Sequence, residues 1–168
     1  MMDPTEFVDK LWADTEVVYR ASELQIKAFY DSNPPKEKLV QNFTRRMVNE
    51  RMNLTEIMKA VETSDAGTDP KELMSLCKQA LDEATHFRMV KEVVEYVSGE
   101  EVDVGTTVER ELKDTAVKGA KLLQKYNCEN DPIALALYQP LAEGQASRNW
   151  QMMADCLKDP FLANTCLL

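Results

Sequence analysis

The sequence predicts an all-α protein: an antiparallel bundle of four long helices with one additional shorter helix, in a single domain covering residues 1–168. Three observations carry that expectation. Apolar residues recur at three- and four-residue intervals over long stretches, the signature of one buried helical face. Period-2 alternation is absent from every one of those stretches. The segments between them are short and rich in Asp, Asn, Ser, Gly and Pro, which interrupt helices. With 44% hydrophobic and 29% charged residues in a chain of 168, one substantial core is within reach and a disordered chain is not indicated.

Taken in order, the first helix spans about Pro4 to Tyr30 and stops at DSNPP. The second begins after Pro35 in KEKLVQNFTRRMVNERMNLTEIMKAVE and ends before TSDAGTDP. Asp69 is positioned to cap the third, with Pro70 at its first turn and Glu72 close behind, and Gly99 closes it after Ser98. A shorter fourth helix is expected over about Thr106 to Tyr126. A fifth starts near NDPIALALYQP and reaches about Leu157, ahead of Asp159-Pro160, with Pro140 expected to bend or split it near Tyr138. A helix of 28 residues is about 42 Å long at 1.5 Å per residue. Such a length needs a partner along most of its surface, because packing of the amphipathic face supplies most of its stability.

Composition narrows the function. A formal charge of −9, with Lys and Arg scattered along the helices, argues against a nucleic-acid surface. No basic segment followed by an apolar run opens MMDPTEFVDKLW, so no signal peptide is expected, and no window of 18 apolar residues suggests a membrane span. Cys77, Cys128, Cys156 and Cys166 are few and widely spaced, with no C-x-x-C pair, and read as reduced thiols of a cytoplasmic protein.

The residues that carry chemistry are glutamates. In the third helix, whose stretch ALDEATHFRMVKEV holds the only histidine, the 3-4 series runs Leu76, Ala80, Glu83, Phe87, Val90, Val94, Val97. Glu83 falls where an apolar residue is expected, and His86, three residues on, can reach toward the same point. The first helix gives Trp12, Glu16, Tyr19, Glu23, Ile26, Tyr30. In the second the series is Leu39, Phe43, Glu50, Leu54, Ile57, Val61, with Met47 or Arg46 at the intervening turn. The fifth gives Ala136, Gln139, Glu143, Ala146, Trp150, Met153, Leu157. Several carboxylates facing one another in a low-dielectric interior need protons, cations or water. A metal pair answers that need, and carboxylates with an imidazole suit iron or manganese. The alternatives are a hydrogen-bonded polar core or a solvated face, and Arg20, Arg88 or Arg148 pairing with internal carboxylates would make metal unnecessary.

A Glu-x-x-His on a long helix beside glutamates on other long helices resembles the ferritin-like, rubrerythrin-like di-iron carboxylate bundles. The resemblance implies an oxidoreductase that uses dioxygen or peroxide on a small substrate or on iron itself. Its metal ligands would be Glu23, Glu50, Glu83, His86 and Glu143, with Glu16 a substitute for Glu23, and its cofactor two iron ions or manganese. Tyr19, Tyr30 and Trp12 would then be radical relays or hydrogen-bond donors, or simply core aromatics. The pattern departs from the family at the second Glu-x-x-His: Ala146 stands three residues after Glu143, and Asn53 three after Glu50. The competing readings are a non-catalytic helical protein acting through a protein partner or as a homodimer, its nine methionines lining an adaptable surface, and a small-molecule binder with a pocket near Tyr19, Phe87 and Trp150. Neither a membrane nor a nucleic-acid partner is expected.

Overall fold

The structure, a computed structural model, describes residues 3–63, 69–113 and 132–167. Among the described residues it is entirely helical: α1 (Pro4–Asp31), α2 (Lys36–Thr63), α3 (Pro70–Ser98), α4 (Val104–Lys113), α5 (Pro132–Cys156) and α6 (Pro160–Thr165). The all-helical expectation and the long-helix boundaries hold to within a few residues. The expected fourth helix is present as α4; its remainder to Tyr126 lies outside the described residues.

Three helices begin the same way. Asp3, Asp69 and Asp159 each accept a hydrogen bond from the N–H two residues on, at 2.9, 3.0 and 2.9 Å, and a proline follows each in the first turn. The aspartate satisfies a donor with no intrahelical partner, and the proline lacks the N–H that would otherwise be orphaned. Asp159-Pro160, expected from the sequence as the end of the fifth helix, also starts the short α6, which the sequence analysis does not anticipate. A proline that cannot continue one helix is equally suited to start the next.

The chain divides into two compact units, Pro35–Leu135 and a second made of Met1–Pro34 with Ala136–Leu168. In the first, α2 and α3 run antiparallel. Asn53 reaches Glu83 and, one turn back along α2, Glu50 reaches His86 one turn further along α3. Phe43, Met47, Val48 and Ile57 of α2 and Ala80, Val90, Val93 and Val94 of α3 are buried. Full burial of a side chain such as Phe43 stabilises the unit by roughly 1.5–3 kcal/mol. Gly99 ends α3 at φ 75°, a left-handed conformation that a glycine adopts without strain. The turn beyond it is tied back by Glu95, which accepts from Lys91 and from the Val102 N–H at 3.0 Å. Those two bonds, the lysine's first, hold the Glu95 carboxyl below its ordinary range. The α4 helix returns toward α2, where Arg45 lies 3.9 Å from the buried Glu111.

In the other unit α1 lies along α5, and its contacts advance in the same direction on both helices. Tyr19 Oη donates to the Leu141 carbonyl at 2.7 Å, and further on Ser22 Oγ bonds Asn149 Oδ1 at 3.0 Å. This pair is therefore parallel, where the sequence reading expected antiparallel neighbours throughout. Parallel neighbours need a long connection, and α2 to α4 lie between them in the chain. Gly144 makes room for this contact, since a Cβ there would stand 3.0 Å from Tyr19 Oη, tighter than an ordinary contact. Nor does Pro140 split α5, which is continuous from Pro132 to Cys156. A proline removes one helical hydrogen bond, and α5 continues through that loss. Trp12, expected on the inner face, is 44% exposed; the buried face of α1 passes instead through Tyr19 and Glu23.

Candidate metal centre

The apolar series of α3 carries Glu83 inward with it. Its neighbours in the series, Ala80, Val90 and Val94, are buried, and so is Glu83, at 7% exposure. His86 lies one turn further on and Glu50 projects from the facing turn of α2; both are half-buried. His86 Nδ1 is 3.7 Å from Glu50 Oε2. One ligand atom from each of Glu50, Glu83 and His86 lies within 4.8 Å of the others. Asn53 Nδ2 approaches Glu83 Oε1 at 3.5 Å from the α2 side.

These donors fit a divalent transition metal. Bonds of about 2.1 Å to oxygen or nitrogen put adjacent ligand atoms about 3.0 Å apart and opposite ones about 4.2 Å apart. The His86–Glu50 separation of 3.7 Å already lies between those two values, and the 4.8 Å bound on the cluster is close to the larger. Two carboxylates and one neutral imidazole provide two hard oxygens, one nitrogen and a charge that balances a single dication. His86 keeps 37% of its side chain exposed, so solvent reaches the cluster at the imidazole.

The first-helix glutamates are held differently. Glu23, also 7% exposed, accepts from Arg148 Nε and lies 3.4 Å from Arg20 Nη1. Arg148 turns its other two nitrogens to Glu16, with Nη2 at 3.0 Å from Oε1, and its guanidinium sits 5.3 Å from the Tyr19 ring centroid. The hydrogen bond to Arg148 holds the Glu16 carboxyl below its ordinary value, and the two glutamates push the arginine further upward. Burial raises the Tyr19 phenol. Here an arginine neutralises the carboxylates, one of the alternatives the sequence left open. Arg88, in contrast, pairs with the exposed Glu92 at 2.6 Å.

Of the sequence-predicted ligands, the structure thus brings together Glu50, Glu83 and His86. It gives Glu23 to Arg148 and leaves Glu143 exposed on α5. Among the described residues, two further carboxylates are buried that the apolar series do not contain. Glu56 is 1% exposed and bonded by Lys59 at 2.7 Å, and Glu111 is 9% exposed between Arg45 and Arg110. Glu56 sits beside Ile57, one position off the apolar series, and the Lys three residues after it was the available signal. No helix among the described residues is long and apolar enough to cross a membrane. No protein-family model, curated protein or solved structure matches the chain.

Proposed function

We propose that the chain is a ferritin-like helical protein that binds iron or manganese through Glu50, Glu83 and His86 and oxidises a small substrate with dioxygen. The observation that carries this reading is the convergence of three ligand atoms of the right types within 4.8 Å from facing turns of α2 and α3. A bound iron or manganese ion supplies a redox-active Lewis acid to which dioxygen and substrate can be brought. The protein's own part is positional. Glu83, fixed on the buried face, presents a carboxylate from the dry side of the site, and Asn53 restrains it. Glu50 and His86 come from the wetter side and leave access for a small molecule. In the overall reaction, a substrate losing two electrons and two protons reduces one dioxygen to hydrogen peroxide.

The test is elemental analysis of protein expressed with iron and manganese supplied, for the parent and for Glu83→Ala and His86→Ala. The parent is expected to retain at least one ion per chain and both variants to lose it. Less than about 0.1 ion per chain in the parent, with no uptake when Mn²⁺ is added back, ends the metal reading.

A second reading has support of its own. Val17 is 71% exposed and Met74 72%, with Phe7, Val18, Leu24 and Leu81 also outward. On α1 the outward apolar residues Phe7, Val17, Val18 and Leu24 offer a surface for self-association or a protein partner. Sedimentation velocity over a range of concentrations distinguishes a homodimer from a monomer that recruits another protein.

A further inference from the structure

The α2–α3 site contains a repeated arrangement that the three-ligand description leaves out. Glu50 and Asn53 are three residues apart on α2; Glu83 and His86 are three apart on α3. Because the helices are antiparallel, the pairs cross, so that Glu50 meets His86 at 3.7 Å and Asn53 meets Glu83 at 3.5 Å. An approximate two-fold axis through the middle of this quartet exchanges Glu50 with Glu83 and His86 with Asn53. Asn53 therefore occupies, relative to Glu83, the place that His86 occupies relative to Glu50.

Resting on the metal-binding reading above, we propose that Asn53 is the fourth ligand of this site and that the site takes one divalent ion. Asn53 now turns Nδ2 toward Glu83 Oε1. A half-turn of the amide exchanges Nδ2 for the acceptor Oδ1 with no change in shape. The side chain can thus donate to the carboxylate without metal and offer a neutral oxygen to an ion. Charge sets the number of ions. Two carboxylates with an imidazole and an amide carry a total of −2, which matches one dication and leaves a second one uncompensated.

The experiment is titration calorimetry of the full chain with Mn²⁺, for the parent, Asn53→Ala and Asn53→Asp. Circular dichroism of each variant confirms that helical content is unchanged. Cu²⁺ electron paramagnetic resonance of the parent and Asn53→His then counts nitrogen ligands. We expect one Mn²⁺ per parent chain, affinity about tenfold weaker or worse in Asn53→Ala, and tighter binding in Asn53→Asp. We expect one coordinated nitrogen in the parent and two in Asn53→His. A residue that merely supported the fold would not place a new imidazole on the ion. Parent affinity in Asn53→Ala, together with a single nitrogen in Asn53→His, overturns the role of Asn53 while leaving the three-residue site standing. Two Mn²⁺ per parent chain overturns the single-ion assignment. No binding by the parent overturns both this inference and the reading on which it rests.

Discussion

Glu23 on α1 and Glu83 on α3 are equally buried, each at 7% exposure, yet the company they keep is opposite in character. Glu23 lies against a guanidinium that also holds Glu16 and stacks near Tyr19. Glu83 lies beside a second carboxylate, an imidazole and an amide. Burial of a carboxylate is therefore no guide to its role; the neighbour decides. An arginine with its fixed fork of donors saturates carboxylate oxygens and leaves little for a further cation. A histidine beside two glutamates presents a ring nitrogen and carboxylate oxygens that converge on a point an ion can occupy.

That contrast can be broken or sharpened experimentally. The largest effect is expected from the fully buried core of each unit. Phe43→Ala should destabilise the α2–α3 unit by about 3–5 kcal/mol and weaken metal binding with it. Met153→Ala, with a side chain likewise fully buried but on α5, should cost about 2–5 kcal/mol and leave Mn²⁺ affinity unchanged. Denaturant unfolding and calorimetry on the same variants check both. Equal losses of metal affinity in the two variants would break the separation between the pairs.

Metal addition comes next. At a free Mn²⁺ concentration a hundredfold above Kd, the parent should gain about 2.7 kcal/mol against unfolding. His86→Ala should gain little, and Glu23→Gln should gain as much as the parent. Thermal unfolding with and without Mn²⁺ measures all three.

Neutralising one glutamate at a time should then give responses of different sign in metal-free protein. Glu23→Gln leaves Arg148 with a weaker acceptor and should cost about 1.5–3 kcal/mol, the range for hydrogen bonds to charged groups. Glu83→Gln removes one of two negative charges sharing a site and should change stability by less than about 1 kcal/mol, or raise it. A loss at Glu83 as large as that at Glu23 would show the α2–α3 cluster to be a saturated structural network.

The smallest effect is a pH dependence at the surface of the Arg148 site. The Glu16 carboxyl is held below its ordinary value of 4.5 chiefly by its hydrogen bonds to Arg148. A depressed carboxylate contributes stability that is fully present above 4.5 and is lost as pH falls below it. Glu16→Gln should accordingly melt slightly below the parent at pH 7, with the difference closing between about pH 4.5 and the depressed value. Melting curves at a series of pH values test this, and a gap that widens in acid contradicts the assignment.

How much of the site could be seen in the sequence follows the same division. The Glu-x-x-His of α3 was legible because both residues lie on one helix, where spacing alone places their side chains together. Glu50 was legible in part, since its position in the apolar series of α2 pointed inward. Asn53 was legible as the residue in the missing histidine's place, able to ligate weakly or hold a water, but no rule of spacing says which turn of α2 faces which turn of α3, so its approach to Glu83 was not. Arg148 was one of three arginines that could have met an internal carboxylate. Selecting it over Arg88 requires knowing that α5 runs alongside α1, some 125 residues away in sequence.

By itself the sequence determined the helices: their apolar periodicity, the Asp-Pro starts and the Gly99 stop act within a turn or two and need no distant partner. It also determined that polar groups would fall on inner faces, since periodicity is a property of each helix alone. The tertiary structure decided what those groups would meet. The parallel course of α1 and α5 gives Glu23 an arginine, and the antiparallel register of α2 and α3 gives Glu83 a histidine, an amide and a second carboxylate. Register and direction arise from how whole faces fit together, through contacts between residues far apart in the chain. Local periodicity carries no record of them.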